Sequence, residues 1–314
     1  MRRSSCWILS GTVIAVCFLN LIVVNLFCTQ GTIQRADRLT EKSLESKLLL
    51  VLVMSAPKNS ERRDAIRQTW MFTMQTFQQT QVYFVIGKEG LVNDLSASLA
   101  HEHSKHNDLL LLDNLKDSYY KLTEKLVGSL TIVSKRYNFT YVMKCDDDTF
   151  IDSSKLIQEL SSLPARGLYW GYFTGAARVK KSGPWAEPNF SLCDRYLPYA
   201  RGGGYVLSWD VVDFIIKNSH ILQIYNSEDV TIGVWLAPLN IQRIHSTGFD
   251  TESKSRGCLN HHFVSHKQSV EEMKTKQKSL LDGGVLCKKE YRSRQEYKYN
   301  WSAPPSQCCL LGVT

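Results

Sequence analysis

The chain has 314 residues, a formal net charge of +8, 43% hydrophobic residues and 22% charged residues. This balance is typical of a folded protein and excludes wholesale disorder, a collagen-like repeat and a coiled coil. The modest positive charge fits an acidic small ligand as readily as a nucleic acid, so composition alone assigns no function.

The N-terminal segment predicts a membrane anchor. No charged residue occurs between Arg3 and Arg35, and within this interval residues 7–27 form an apolar run that is long enough to cross a bilayer as a helix. A cleaved signal peptide is the alternative, but the run exceeds the usual hydrophobic region of about 7–15 residues and no small-residue cleavage site follows it. We therefore expect a cytoplasmic tail at residues 1–6, a signal-anchor at 7–27, a stem at 28–46 and a folded body at 47–314.

Sequons and cysteines both favour an oxidising lumen for the body. Three Asn-X-Ser/Thr sequons follow the apolar run and predict glycosylation at Asn138, Asn189 and Asn300. The body contains an even number of cysteines, which permits up to three disulfides without fixing their pairing. Cys145 follows a predicted strand, so it is equally consistent with a buried free thiol. The six cysteines are Cys145, Cys193, Cys258, Cys287, Cys308 and Cys309.

From residue 47 onward, strand patterns alternate with helix patterns. Helical stretches begin at Ser60, near Leu91 and near Ser118, and the last of them extends to residue 136. Strands separated by helices imply βαβ crossovers, and no internal repeat interrupts the pattern. The sequence therefore predicts one α/β domain with a mostly parallel central sheet. Its predicted strands are 48–54, 81–86, 108–112 and 139–143.

An acidic triplet follows the last of these strands. Asp146, Asp147 and Asp148 come directly after residues 139–145. In open α/β sheets, ligands bind beyond the carboxyl ends of the strands. Carboxylates are hard oxygen ligands that suit Mg²⁺ or Mn²⁺. A metal site is favoured over a solvated acidic turn because the triplet follows a buried strand.

Other motifs narrow the class of enzyme. The sequence contains no GxxxxGK[ST], GxGxxG or GxSxG pattern, which argues against a P-loop, a dinucleotide fold and an α/β-hydrolase. The glycine run 202–204 allows a ligand to approach the backbone closely. Glu228 and Asp229 lie at a predicted helix start, where acidic residues are favourable with or without a catalytic role.

Taken in order, these segments resemble the beta-1,3-galactosyltransferase family of Golgi type II membrane enzymes. The segment 63–70 is similar to the family's RxxIRxTW, 146–148 to its DxD, 201–208 to its GxGYxLS and 228–233 to its EDVxxG. Residues 117–125 resemble its DxYxNLTxK helix, with Lys121 in place of the usual Asn. The segments 169–173, 197–208 and 301–309 also resemble the branch that acts on the glycosaminoglycan linkage region.

The resemblance implies a reaction and a fold. It implies a GT-A type domain that transfers galactose from UDP-galactose to the galactosyl-β1,4-xylose on a proteoglycan serine, with inversion of the anomeric centre. It also implies Mn²⁺ as cofactor and a Golgi membrane location with the body in the lumen. Nucleic acid is not an expected partner, because no recognition motif is present.

The resemblance also implies roles for particular residues. Asp229 would be the catalytic base, with Glu228 beside it orienting the site. The expected Mn²⁺ ligands are Asp146, Asp148 and His266, with His245 as the fallback for the histidine. The expected donor-binding residues are Arg63, Arg67, Asp147, Gly203 and Gly204, and a structural ion pair remains the alternative for the two arginines.

Two other readings stay open at this point. One is a sister transferase with a different donor, such as UDP-N-acetylglucosamine. The other, from a different functional class, is an inactive membrane-tethered protein that binds sugars and keeps the fold. The intact acidic triplet and the Glu228–Asp229 pair argue against this second reading, because a pure binding protein has little use for both.

Overall fold

The computed structural model describes residues 44–309. The predicted tail, the predicted anchor at residues 7–27 and the stem up to residue 43 lie outside the described residues. Among residues 44–309, none of the helices combines the length and the apolar character needed to cross a bilayer. The first strand begins at Glu45, within the predicted stem.

The body alternates strands and helices along the chain. The strands are β1 (Glu45–Met54), β2 (Thr80–Gly87), β3 (Leu109–Leu112), β4 (Tyr137–Asp146), β5 (Phe150–Ile151), β6 (Leu168–Thr174), β7 (Tyr199–Ser208), β8 (Gln242–His245), β9 (Phe249–Asp250), β10 (Gly257–Cys258), β11 (Val264–Ser265) and β12 (Tyr291–Arg292). The α-helices are α1 (Ser60–Gln68), α2 (Trp70–Gln75), α3 (Asn93–His106), α4 (Leu122–Ser134), α5 (Ser153–Leu160), α6 (Trp209–Asn218), α7 (Glu228–Leu236) and α8 (Val270–Gly283).

Seven of these strands form one central sheet in the order β3-β2-β1-β4-β7-β6-β8. Only β7 runs antiparallel to both of its neighbours, and the other pairings are parallel. The predicted α/β class with a mostly parallel central sheet is confirmed. Because β7 is reversed, its first residues lie at the same edge of the sheet as the last residues of β1 and β4.

Strand β1 shows why the sheet is buried on both faces. Its side chains alternate, so Leu49, Val51 and Val53 pack into one apolar layer, while Leu50 and Leu52 pack into the other. Helices α1 and α2 cover the first layer, and α4 and α6 cover the second. A near-continuous apolar strand is typical of a parallel sheet with helices on both sides.

The predicted elements agree with the structure apart from their ends. The helix predicted from Ser60 is divided at Thr69, where the backbone leaves the helical region, so Trp70 begins α2. The helix predicted over 118–136 begins as a short 3₁₀ turn at Tyr119–Lys121 and continues as α4. Element ends fray and are the part of a helix least determined by local sequence.

The six cysteines of the body form two disulfides, one fewer than their number allows. Cys258 pairs with Cys287, and the adjacent residues Cys308 and Cys309 pair with each other. Cys145 is a buried free thiol and Cys193 an exposed one. Burial raises the pKa of the Cys145 thiol well above its ordinary value, so it is unreactive.

The Cys258–Cys287 disulfide should contribute measurably to stability. It closes a loop with a sequence separation of 29. We expect the double substitution Cys258→Ser with Cys287→Ser to lower the free energy of unfolding by about 3–4 kcal/mol, because the unfolded chain regains loop entropy. Denaturant unfolding of the purified protein measures this effect, with Cys193→Ser as the control. An unchanged midpoint would contradict the prediction.

The three predicted sequons are all accessible. Asn138 lies on β4, Asn189 in the loop between β6 and β7, and Asn300 in the C-terminal segment; each side chain is exposed. Glycosylation at these positions stays a prediction.

Candidate active site

The acidic triplet lies at the edge of the sheet where β1 and β4 end. Asp146 is the last residue of β4, and the next two aspartates form the turn that follows. Trp70 Nε1 donates to the carbonyl of Thr149 at 3.0 Å, and Thr149 Oγ1 donates to the carbonyl of Gly203 at 2.8 Å. These two bonds fix the turn between helix α2 and the glycine run of β7.

Asp147 faces the loop between β1 and α1. Its Oδ2 accepts from Ser55 Oγ at 2.8 Å and from Asn59 Nδ2 at 2.7 Å. Its Oδ1 accepts from Arg62 Nη1 at 2.9 Å. The middle carboxylate of the triplet therefore orders one wall of the cleft through its contacts with Ser55, Asn59 and Arg62.

Asp146, Asp148 and His266 bring three ligand atoms within 4.8 Å of one another. His266 Nε2 lies 2.9 Å from Asp148 Oδ1 and 3.3 Å from Asp146 Oδ2. Among the described residues, neither ring nitrogen of His266 nor Oδ1 of Asp148 has a hydrogen bond of normal geometry. Buried polar atoms without partners are rare, and two carboxylates with an imidazole suit Mn²⁺. The three residues therefore fit a divalent cation.

The charges of this cluster favour a cation. Burial alone would lower the pKa of His266, but Asp146 and Asp148 raise it to about 9. Burial alone would raise the pKa of Asp148, but His266 holds it below its ordinary value. A cation that binds Nε2 must displace the proton there, so its affinity falls as the pH falls.

His266 reaches the triplet through a small second sheet. Strand β11 pairs with β5, which follows the triplet, and with β9. The backbone N–H of His266 donates to the backbone carbonyl of Asp250 at 2.9 Å, and that of Gln268 donates to the backbone carbonyl of Asp148 at 2.8 Å. The histidine predicted as a metal ligand thus lies beside the two predicted aspartates. The fallback His245 does not, because Phe173 N–H donates to its Nδ1 and its Nε2 contacts the carbonyl of Tyr297.

Gly203 leaves room for the His266 ring. A Cβ atom at this position would lie 2.5 Å from both Cγ and Nδ1 of His266. We expect Gly203→Ala to displace the ring and to raise the Mn²⁺ concentration for half-maximal activity by about 10–100-fold, the usual cost of disturbing a ligand's support. Gly128→Ala is the matched control, because a Cβ there meets only ordinary contacts at 3.6 Å. Equal metal dependence of the two variants would refute the prediction.

Glu228 and Asp229 form the first turn of α7, where Glu228 is buried and Asp229 is partly buried. Asp229 Oδ2 accepts from the backbone N–H of Gly202 at 2.9 Å, and Oδ1 accepts from Val230 N–H at 2.9 Å. Burial raises the pKa of both carboxyl groups, although Lys144 and, for Asp229, Arg201 offset part of the effect. A carboxylate with a raised pKa accepts a proton more readily, which suits a general base.

Lys144 joins the carboxylates of the candidate metal site to this acid pair. Its buried ammonium donates to Asp146 Oδ1 at 2.8 Å and to the carbonyl of Gly202 at 2.6 Å, and lies 3.0 Å from Glu228 Oε2. Burial alone would lower the pKa of Lys144, but the two carboxylates raise it, so the lysine stays charged. Tyr205 also donates its hydroxyl to Glu228. Glu228 is thus held by Lys144 and Tyr205, whereas the hydrogen bonds that Asp229 accepts within residues 44–309 come from backbone N–H groups.

A single cleft of about 870 Å³ connects these groups within residues 44–309. The metal-site residues, Asp147, the acid pair and Lys144 all line it. Its remaining walls come from the loop after β1, the segment before α4 and the loop between β6 and β7. Residues from these walls are Asn59, Lys116, Tyr119, Lys180 and Trp185, and the adjoining elements α1, α4 and β7 add Arg62, Lys125 and Tyr199.

Three predicted donor-binding residues lie outside this cleft, which corrects the sequence prediction. Arg63 donates to Glu102 and to the carbonyl of Ala56, and Arg67 donates to Glu102 and Asp108. Both guanidinium groups are therefore committed to structural ion pairs, the alternative left open by the sequence.

The third correction concerns Gly204. A Cβ there would lie 3.1 Å from Val264 and 3.3 Å from Met143, so this glycine packs inside the fold. Gly203, by contrast, lines the cleft as predicted.

Of the three arginines in α1, Arg62 is the one that lines the cleft, and helical periodicity could have identified it. Arg63, Ile66 and Trp70 share one helix-spaced face, and the last two are apolar and fully buried. Arg62 is offset from this face by about 100°, since an α-helix has about 3.6 residues per turn. Lys144 was missed because a lysine at the end of an apolar strand gives no local signal of its partners.

The chain is similar to known galactosyltransferases. The model of the galactosyltransferase family matches residues 61–247. Beta-1,3-galactosyltransferase 6 of Mus musculus is 48% identical over 266 residues, which cover 83% of this chain and 82% of the mouse protein. A hydroxyproline O-galactosyltransferase of Arabidopsis thaliana is 28% identical over 72% of this chain and 34% of its own length.

The similarity to solved structures is low. A mannosyltransferase from Pyrobaculum calidifontis, in complex with GDP-Man and Mn²⁺, has a TM-score of 0.37 and 12% identity; the match covers 73% of this chain and 65% of that one. This likeness is too low to support an inference. The family match covers more than half of this chain, and the mouse protein is related over most of both chains. The chain therefore belongs to the galactosyltransferase family, and within it to the beta-1,3-galactosyltransferases that its motifs resemble.

Proposed function

We propose that this protein transfers galactose from UDP-galactose to galactosyl-β1,4-xylosyl-serine of a proteoglycan core protein. The product would be the β1,3 linkage of the glycosaminoglycan linker, an activity of the galactosyltransferase II type. The 48% identity to a mouse beta-1,3-galactosyltransferase supports the reaction class. The donor, the acceptor and the GT-A type of the domain rest on the resemblance of the motifs.

One observation carries the proposal. The candidate cation site of Asp146, Asp148 and His266 and the partly buried carboxylate of Asp229 open into the same cleft, and Lys144 links Asp146 to Glu228, the neighbour of Asp229. A transfer from a nucleotide sugar requires a group that binds the diphosphate and a base that accepts the proton of the incoming hydroxyl. Both kinds of group are available here on fixed elements of the fold.

In the proposed mechanism, Asp229 accepts the proton of the acceptor's 3-hydroxyl as the oxygen attacks the anomeric carbon. The bond between that carbon and the diphosphate oxygen breaks on the opposite face, so an α-linked donor gives a β-linked product and UDP departs. Glu228, held by Lys144 and Tyr205, keeps the start of α7 in place. Mn²⁺ bound by Asp146, Asp148 and His266 would offset the negative charge on the departing diphosphate.

The cellular setting is part of the same proposal. The apolar run at residues 7–27 would anchor the chain as a type II protein in the Golgi membrane, with residues 47–314 in the lumen. The accessible sequons and the Cys258–Cys287 disulfide fit an oxidising, glycosylating compartment.

The test is a transfer assay with the purified full-length protein in detergent. UDP-galactose and a galactosyl-β1,4-xyloside are supplied with Mn²⁺ or with a chelator, and the product linkage is assigned by NMR. We expect a β1,3-linked product that disappears with chelator. Transfer only from UDP-N-acetylglucosamine would identify a sister enzyme. UDP binding without transfer from any donor would support the inactive sugar-binding alternative.

A further inference from the structure

The loop between β6 and β7 places a tryptophan in the cleft. The backbone N–H of Glu187 donates to the backbone carbonyl of Lys180 at 2.7 Å, and that of Ala186 donates to the backbone carbonyl of Gly183 at 3.1 Å. These two bonds close a short hairpin. Gly183 allows the tight bend with a φ of 88°. Trp185 lies in this hairpin, lines the cleft and is 42% exposed. A large apolar ring is thus presented to the cleft.

The hairpin is hydrogen-bonded to the residues just before α7. Glu187 is buried, and its carboxylate accepts from the backbone N–H of Asn226 at 2.9 Å and of Ser227 at 2.5 Å. Asn226 Nδ2 donates back to the carbonyl of Ala186 at 2.7 Å. These bonds connect residues 186 and 187 to the two residues that precede the acid pair. The position of Trp185 relative to Asp229 is therefore set by a short, buried connection.

The indole ring is also restrained within the hairpin. Lys180 Nζ lies 4.4 Å from the ring centroid, a cation–π contact, and the Lys180 N–H donates to Tyr196 Oη at 3.0 Å. A restrained aromatic ring loses little conformational freedom when a ligand packs on it. Trp185 is thus preorganised for contact with a flat apolar surface.

The chemistry of the two ends of the cleft decides which ligand meets this ring. Asp146, Asp148 and His266 would hold the cation that binds the donor's diphosphate, whereas Trp185 belongs to the side of the cleft that carries Asp229. A pyranose ring combines an apolar C–H face with hydroxyl groups at its rim. A ring that packs its C–H face on Trp185 would keep its hydroxyls free for Asp229.

We propose that Trp185 is the platform on which the acceptor saccharide packs one pyranose ring. This inference rests on the proposed function, because it takes Asp229 as the base that receives the acceptor's proton. Trp185 contributes to acceptor affinity and orientation and takes no part in binding the donor diphosphate.

The test compares Trp185→Ala, Trp185→Phe and wild type as full-length proteins. We expect Trp185→Ala to raise the acceptor KM by about tenfold or more, as loss of a buried tryptophan anchor does in other interfaces. Trp185→Phe should retain most of the affinity. The KM for UDP-galactose should stay unchanged.

Trp301→Ala is the matched control. Trp301 is 44% exposed, like Trp185, but it does not line the cleft. An unchanged acceptor KM in Trp185→Ala would overturn the proposal. A parallel rise of the donor KM would also overturn it, because the ring would then contact the donor. A lower kcat for galactose transfer together with a lower melting temperature would also overturn it, because Trp185 would then have a purely structural role.

A binding measurement separates this inference from the proposed function. Titration of methyl galactosyl-β1,4-xyloside into protein with UDP and Mn²⁺ reports acceptor binding without turnover. If wild type does not bind this disaccharide but binds another of a panel of β-linked disaccharides, the proposed acceptor is wrong, and the Trp185 comparison is made with the one that binds. If wild type binds none of them, both proposals fail.

Discussion

Replacing Asp229 with asparagine is expected to lower kcat for galactose transfer by about 10²–10⁴-fold, the range that general base catalysis contributes. The amide of asparagine cannot accept the acceptor's proton. Its oxygen can still accept from Gly202 N–H or Val230 N–H, so the start of α7 keeps one of its two bonds. Steady-state kinetics gives kcat, and calorimetric titration of UDP with Mn²⁺ should give a nearly unchanged Kd.

The control for this substitution is Asp213→Asn. Asp213 lies on α6, pairs with Lys217 at 2.7 Å and lies outside the cleft. Retention of most of the turnover in Asp229→Asn would transfer the role of base to another group, with Glu228 first in line. Loss of the folded circular dichroism spectrum would instead show that Asp229 is needed for structure.

Replacing Asp148 with alanine should weaken Mn²⁺ binding by more than the roughly 10–100-fold that loss of a supporting group costs, since a direct ligand is removed. The backbone carbonyl of Asp148 would still accept from Gln268 N–H, so the turn should remain folded. Titration of Mn²⁺ followed by electron paramagnetic resonance measures affinity without turnover. The Mn²⁺ concentration at half-maximal activity should rise in parallel.

Two further variants make the assignment specific. Asp113→Ala removes an exposed acid that pairs with Lys88 outside the cleft, and it should leave the titration unchanged. His266→Ala should raise the half-maximal Mn²⁺ concentration as Asp148→Ala does. No shift in either cleft variant would remove that residue from the metal site.

The part of the fold that the sequence predicted is the part with local signals. Strand β1 is a continuous apolar run, and β4 is followed at once by the acidic triplet, so both the parallel sheet and the triplet's position at its edge could be inferred. The start of α7 could be inferred in the same way, because Glu228 and Asp229 precede an apolar helix.

The rest depends on pairings that leave no local trace. Strands β5, β9 and β11 have two residues each, too few to show a period, yet they bring His266 to Asp148. His266 was placed by family resemblance, with His245 still open. The partners of Lys144 and the commitment of Arg63 to Glu102 depend likewise on side chains far away in sequence.

The small sheet has a consequence for the order of events during synthesis. In the chain, 119 residues separate Asp148 from Lys267, the neighbour of His266. At about 5–20 residues per second, the ribosome adds this stretch in roughly 6–24 s. The central sheet up to β4 can begin to form while the histidine has yet to be translated. The nascent chain would therefore carry its acidic triplet without His266 for many seconds, with only Arg62 and Lys144 to offset the charge, and the cation site would be completed only near the end of translation.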